Sequence, residues 1–176
     1  MNQATVTATA TAALAFASVL YACTADTPDA TDTADTAAEG EAIEIDATWV
    51  MGAEGAWLGH ISDTPYGTLD DFPLDFIHEE DGSLHARTSF GDDTGYFDFR
   101  FREQDGTWVL DEEGKFPGGL LQSYTLHPVE QANERVRFET LEMPGFILVD
   151  VIIEAESLVI TAQVNGELHA TFDLQR

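Results

Sequence analysis

Basic residues are nearly missing from this 176-residue chain: seven Lys and Arg stand against 33 Asp and Glu, a formal net charge of -26 at pH 7. None occurs before Arg87, and Lys115 is the single lysine. A surface so poor in cations cannot hold phosphate by charge, so no nucleic-acid partner is expected. Cysteine is reduced to Cys23, which excludes an internal disulfide, and the fold must rest on its core alone. No Gly-x-Ser-x-Gly, Walker or His-Glu-x-x-His pattern is present, which removes the usual motif-borne chemistries. His60, His78, His85, His127 and His169 never fall at metal-motif spacing, so neither metal nor cofactor is expected. The apolar run Ala12–Ala22 is too short to span a bilayer, which takes about 20 apolar residues.

What is there divides into three parts. Residues 1–22 have the length and pattern of a signal peptide, with an apolar stretch and a small residue just before Cys23. Leu20-Tyr21-Ala22-Cys23 resembles the lipobox of bacterial lipoproteins, although their basic n-region has no counterpart here. The resemblance implies that Cys23 is diacylglycerol-modified and becomes the mature N-terminus, anchoring the chain through more than one acyl chain. Thr24, rather than Asp, follows the cysteine. By enteric-type sorting this implies a lipid-anchored place in the bacterial cell envelope, at the outer membrane. Residues 23–44 repeat Thr, Ala and Asp without an aromatic or basic residue. Such a segment buries too little to order itself and is extended by its own charge, so a disordered acidic tether is expected.

Residues 45–176 form one domain by length and hold all three Trp and ten of the eleven Phe. No sustained 3.6-residue period occurs there. Period-two segments bounded by Gly, Asp, Asn and Pro recur at 56–61, 72–79, 83–90, 95–103, 107–112, 120–127, 134–141, 146–153, 157–164 and 167–174. About ten short strands at near-regular spacing predict an all-β antiparallel meander, closed as a barrel or folded as a β-sandwich.

Turn chemistry sets the registers. Asp105-Gly106 is a two-residue turn that places Phe101 opposite Leu110 and Arg100 opposite Asp111. At Asp81-Gly82 and Asn165-Gly166 the same turn would oppose Phe76 to Arg87 and Leu158 to Asp173. A three-residue loop with a glycine bulge repairs the matching, setting Phe76 opposite Ala86, Ile160 opposite Ala170 and Leu158 opposite Phe172. One face then carries Phe72, Leu74, Phe76, Phe97, Phe99, Phe101, Trp108, Leu110, Leu158 and Phe172. The other carries His85, Arg87, Asp98, Arg100, Arg102, Arg135 and Arg137. The strand Phe146–Ile153 is apolar on both sides and reads as covered on both.

This all-hairpin meander, with Gly55-Ala56-Trp57 at its first strand, resembles the lipocalin-like (calycin) barrels. In that family the Trp of Gly-x-Trp closes one end of the barrel, often against an Arg late in the chain. Arg176 is the basic residue placed for it. The Thr-Asp-Tyr motif of that family is absent, and the strand count lies nearer that of fatty-acid-binding proteins.

The resulting expectation is a monomeric, membrane-anchored binder or carrier of a lipophilic or amphipathic small molecule, its cavity lined by Phe76, Phe99, Phe101, Trp108 and Trp57. Arg100/Arg102 and Arg135/Arg137 form two i, i+2 pairs. They read either as an anion-binding cluster or as cross-strand partners of Asp98, Asp111 and Glu139. Two other roles stay open: an envelope protein-interaction module with a filled β core, and a barrel-fold enzyme whose catalytic residues the sequence does not single out.

Overall fold

The computed structural model describes residues 42–64, 67–91, 94–119 and 121–176, all within one compact unit, Ala37–Arg176. Cys23, the signal segment and the tether up to Glu41 lie outside the described residues. A short helix, α1 (Ala47–Met51), precedes ten strands: β1 (Gly55–Thr64), β2 (Gly67–His78), β3 (Leu84–Phe90), β4 (Gly95–Gln104), β5 (Thr107–Lys115), β6 (Gln122–Ala132), β7 (Arg135–Glu139), β8 (Ile147–Ile153), β9 (Ser157–Val164) and β10 (Glu167–Gln175). Each strand pairs antiparallel with the next, and β10 pairs back onto β1, so the meander closes as a barrel and not as a sandwich.

The turns explain the registers. Asp105 (φ 53°) and Gly106 (φ 85°) make the two-residue turn, and Phe101 faces Leu110 as expected. At Glu80-Asp81-Gly82 the three-residue loop is present. Gly82 takes φ 85°, the Glu79 amide donates to Ser83 O at 2.9 Å, and Ile77 pairs with His85. Asn165-Gly166 departs from expectation. It is a two-residue turn, both residues at positive φ, directly joining Val164 to Glu167. The extra residue sits instead in β10, as a bulge between Leu168 and Ala170. The bulge moves the register by one, so Ile160 meets Phe172 and Leu158 meets Leu174. Asn-Gly takes the tight turn at no steric cost, and a bulge then restores hydrophobic matching downstream.

The aromatic face lies inside. Phe76, Phe99, Phe101, Phe138 and Phe172 are wholly buried. Strand β8 corrects a second expectation: Ile147, Val149, Val151 and Ile153 are buried, but its other side faces outward, and Phe146 is exposed. The barrel unit also starts earlier than Ile45. The Ile43 amide donates to Pro128 O at 2.8 Å, and the Thr107 hydroxyl donates to Ile43 O at 2.8 Å, stitching this segment across β5 and β6.

Both ends are stoppered. At one end α1 buries Val50, and the Trp49 indole donates to Glu134 O at 2.8 Å. Trp57 is buried there, its indole donating to Ala53 O at 2.8 Å. The Arg176 guanidinium lies 4.2 Å over the Trp57 ring and donates to Gly52 O and Glu54 O. This cation–π lid joins the chain's last residue to the start of β1. At the other end Phe116 leans in from the β5–β6 connection, 5.4 Å from the Phe97 ring centroid and 5.9 Å from that of Phe90.

Closure depends on one missing side chain. A Cβ on Gly59 would sit 2.0 Å from Asp173 O and 2.8 Å from the Leu174 Cα. Both are backbone atoms of β10, so no rotamer change relieves the clash. Gly59→Ala is therefore expected to destabilise the barrel by about 2 kcal/mol or more, with β1 parting from β10. Denaturant unfolding checks this. A midpoint equal to the wild type would show that the seam has slack.

Candidate functional site

Side chains directly opposite one another in an antiparallel pair share a face. Three rows therefore run across the inner wall of β3–β6. Nearest the Trp57 end the row is Leu84, Phe101, Leu110 and Leu126. The next is Ala86, Phe99, Glu112 and Tyr124, and the one nearest Phe116 is Thr88, Phe97, Gly114 and Gln122. The wall changes from wholly apolar to partly polar along the barrel. Glu112 and Tyr124 sit at the change.

Glu112 is an inward carboxyl beside Phe99. Among the described residues it forms no hydrogen bond or ion pair. Burial pushes its carboxyl up to about 7 from an ordinary value of 4.5, because a lone charge is poorly tolerated away from water. Burial also raises the Tyr124 phenol, and the nearby Glu112 charge adds to that rise. Both residues stay part-accessible, and no oxygen of either is both sealed from solvent and unpaired. The two polar groups thus keep some contact with solvent. A concavity of about 380 Å³ is lined by Glu112, Tyr124, Ser123 and Thr125 together with Asp98, Arg100, Arg102, Asp111 and Glu113. A neighbouring one of about 520 Å³ shares Ser123, Tyr124 and Thr125 and is rimmed by His127 and the loop Thr140–Met143.

The other expected site residues are placed differently. Phe76 and Phe101 have ring centroids 5.9 Å apart, Phe101 and Phe138 6.0 Å, Phe99 and Phe172 5.3 Å. They fill the interior by touching one another, and none of the five lines any of four concavities on the described surface. Trp57 belongs to the stopper. Trp108 borders a shallow hollow of about 600 Å³ with Ile45, Asp46 and Glu103.

All four arginines face outward and are engaged. Arg102 forks onto Asp111 and also reaches Gln104. Arg100 holds Asp81 and the Ser83 hydroxyl. Arg137 forks onto Asp150, and Arg135 pairs with Glu130 and Asp150. The hydrogen bonds to Asp111 and Asp150 hold the Arg102 and Arg137 guanidinium groups more firmly in their charged form. Cross-strand pairing accounts for them, with Asp150, Asp81 and Glu130 joining Asp111 as partners. His85 sits between Asp98, at 2.9 Å, and Glu79, at 3.5 Å. Among the described residues no group of three or more His, Cys, Asp and Glu is placed to hold a metal ion.

Glu112 escapes a reading of motifs because it lies inside the acidic run Asp111-Glu112-Glu113. The signal that finds it is register: the pairing that opposes Phe101 to Leu110 also opposes Phe99 to Glu112. Compared with protein-family models, curated proteins and solved structures, the chain matches none.

Because its folded-state value lies above its unfolded one, the Glu112 carboxyl favours the fold when protonated. That contribution is complete below about pH 4.5 and is lost as pH rises to about 7. Glu112→Gln should leave stability unchanged near the acid limit and raise it above neutral pH by up to about 3 kcal/mol. Unfolding midpoints of both proteins across this range test the claim. A difference that does not vary with pH would mean that the carboxyl is not desolvated.

Proposed function

We propose that this chain is a membrane-anchored lipoprotein whose barrel binds an amphipathic small molecule, with Glu112 and Tyr124 meeting its polar end. The observation that carries this reading is Glu112. An inward carboxyl without a partner among the described residues forms no pair that holds the fold, and it costs stability as pH rises through its titration range. Ionisable groups displaced this way by desolvation in a concavity are characteristic of functional sites. The adjoining rim supplies apolar surface: Leu141 and Met143 are exposed on the loop that borders the neighbouring concavity. An amphiphile needs this pairing of a polar anchor and apolar rim.

Anchoring is proposed through Cys23, on the lipobox-like Leu20-Tyr21-Ala22-Cys23, which would place the domain at the bacterial envelope's outer membrane. Ile43, bonded to Thr107 and Pro128, would hand the tether over to the barrel wall beside β5 and β6.

A second reading is favoured by the packed rings around Phe76, Phe101 and Phe138. A barrel filled at that end also suits a protein-interaction module that carries no ligand.

Native mass spectrometry of the protein taken from its own membrane separates these readings. The expected spectrum shows acyl mass on Cys23 and one noncovalent small molecule per chain, lost on collisional activation. Acyl mass with no bound molecule, joined by failure to take up a hydrophobic fluorescent probe, would leave the interaction module standing. An unmodified Cys23 would remove the anchor.

A further inference from the structure

We infer that the seam between β2 and β3 is a docking edge for an extended basic segment of another protein, which pairs with β3 as an added strand. The inference does not depend on the amphiphile site. β2 and β3 pair only where Ile77 meets His85 and His78 meets Leu84. Each of the other nine pairings joins five or more residue pairs. The same register carried onward would set Leu74 opposite Thr88 and Phe72 opposite Phe90, yet the ladder stops. On their far sides both strands stay paired, β2 to β1 through Leu69–Phe76 and β3 to β4 through Leu84–Phe90. The two strands therefore part from each other while remaining in the sheet. Each leaves an edge of backbone donors and acceptors without a neighbouring strand. The Phe72 and Phe90 rings, with centroids 6.3 Å apart, floor the seam.

Open strand edges invite an added strand, and proteins blunt them with proline, charge or a bulge. β2 is blunted in all three ways. Pro73 lacks an amide hydrogen, Asp71 (φ 53°) lies where the register with β1 shifts, and Asp70, Asp71 and Asp75 are exposed. The facing edge of β3, Ala86–Phe90, has no proline, no positive φ and no register shift. Its one charge, Arg87, is taken by Asp98. β3 is therefore the receiving edge, and its backbone supplies affinity to any extended segment. Charge selects the segment. Asp71 and Asp75 have no hydrogen bond or ion pair among the described residues, whereas Asp98, Asp111 and Asp150 each hold an arginine. A strand laid against β3 carries its outward side chains beside those two aspartates, so cations at alternate positions pair with β2. Its inward side chains meet Phe72 and Phe90 and must be small. The net charge of -26 draws a basic segment in and repels an acidic one. A second copy of this chain does not supply that segment, because its alternating cations, Arg100/Arg102 and Arg135/Arg137, already lie within its own sheet.

Blocked heptapeptides alternating lysine with threonine test this, read by calorimetry and backbone amide exchange in about 0.1 M salt, where charges beyond about 10 Å are screened. The lysine peptide is expected to bind one per chain and to slow exchange within Ala86–Phe90. Its glutamate–threonine counterpart is expected not to bind. Nor is a lysine peptide with every backbone nitrogen methylated, which keeps the charge but donates no backbone hydrogen bond. Asp71→Asn together with Asp75→Asn should weaken the lysine peptide about fivefold, the yield of two exposed ion pairs. Asparagine keeps the shape of both side chains and tolerates the positive φ at position 71. Glu134→Gln together with Glu156→Gln removes as much charge at exposed positions in other connections and should leave affinity unchanged. Three results would each overturn the added strand: binding by the methylated peptide, protection that misses β3, or exchange in the free protein as slow within Ala86–Phe90 as within β9. Binding of the acidic peptide, or equal effects of the two double variants, would overturn the choice of a basic segment. No binding by the lysine peptide would mean that solvent alone fills the seam.

Discussion

The barrel exists because β1 and β10 can touch, and they can touch because Gly59 presents only hydrogen to the Asp173 carbonyl. The other nine pairings join strands that are consecutive in sequence. The closing pair joins the two ends of the sheet, far apart in sequence, and has no turn to hold it. Loop entropy opposes it, so backbone complementarity must carry it. Arg176 reinforces the seam from one end by binding Gly52 O and Glu54 O beside the first residue of β1. Once the seam is shut, every strand has one inner and one outer face, and the fate of each side chain follows from its parity.

Parity explains how so acidic a chain folds. With 33 acids against seven Lys and Arg, self-repulsion is the standing cost of the compact state. The few cations are spent where acids crowd the outer wall: Asp81, Asp98, Asp111, Glu130 and Asp150 each have an arginine. Such surface pairs add little net stability individually. Their use is local, since Asp150 takes two arginines and Asp98 takes an arginine and His85. Inside, packed phenylalanine rings oppose the repulsion. The energetic division is between an outer wall that is neutralised in patches and an inner wall of packed apolar side chains into which Glu112 is set.

Much of this was legible before any coordinates. Period-two patterning located all ten strands, because a one-sided wall writes its parity into every residue. The Asp105-Gly106 and Asp81-Gly82 hairpins were readable from turn chemistry and hydrophobic matching. The Trp57–Arg176 contact was foreseen through the lipocalin-like Gly55-Ala56-Trp57. Helix α1 was not, because its five residues complete barely one turn and leave no periodic trace. The Asn165-Gly166 register was missed because a longer loop and a downstream bulge both repair hydrophobic matching, and pattern alone does not choose between them. The outward side of β8 was misjudged as covered because Phe146, Leu148 and Ile152 are apolar, yet a lone apolar side chain at a surface is ordinary. The aromatic residues chosen to line a cavity share an inner face, but parity does not say whether inner side chains meet one another or leave a gap.

That last distinction bears on how the site arises. In the row Leu84, Phe101, Leu110 and Leu126 every member is large and apolar. In the next two rows Ala86, Thr88 and Gly114 are small, and across the barrel Ala162 pairs with Ala170. Volume removed from those positions is partly refilled by Phe116, which enters from the connection between β5 and β6. Glu112 lies on the strand before that connection and Tyr124 on the strand after it. The polar pair and the stopper therefore hang on one hairpin, at the level where the wall's own side chains stop filling the interior. A carboxyl on the Leu110 row would be enclosed by large apolar neighbours and neutral at all ordinary pH. One on the Gly114 row would lie closer to solvent and titrate as a surface acid. The Glu112 row lies between them: burial raises its carboxyl, yet the side chain stays partly accessible.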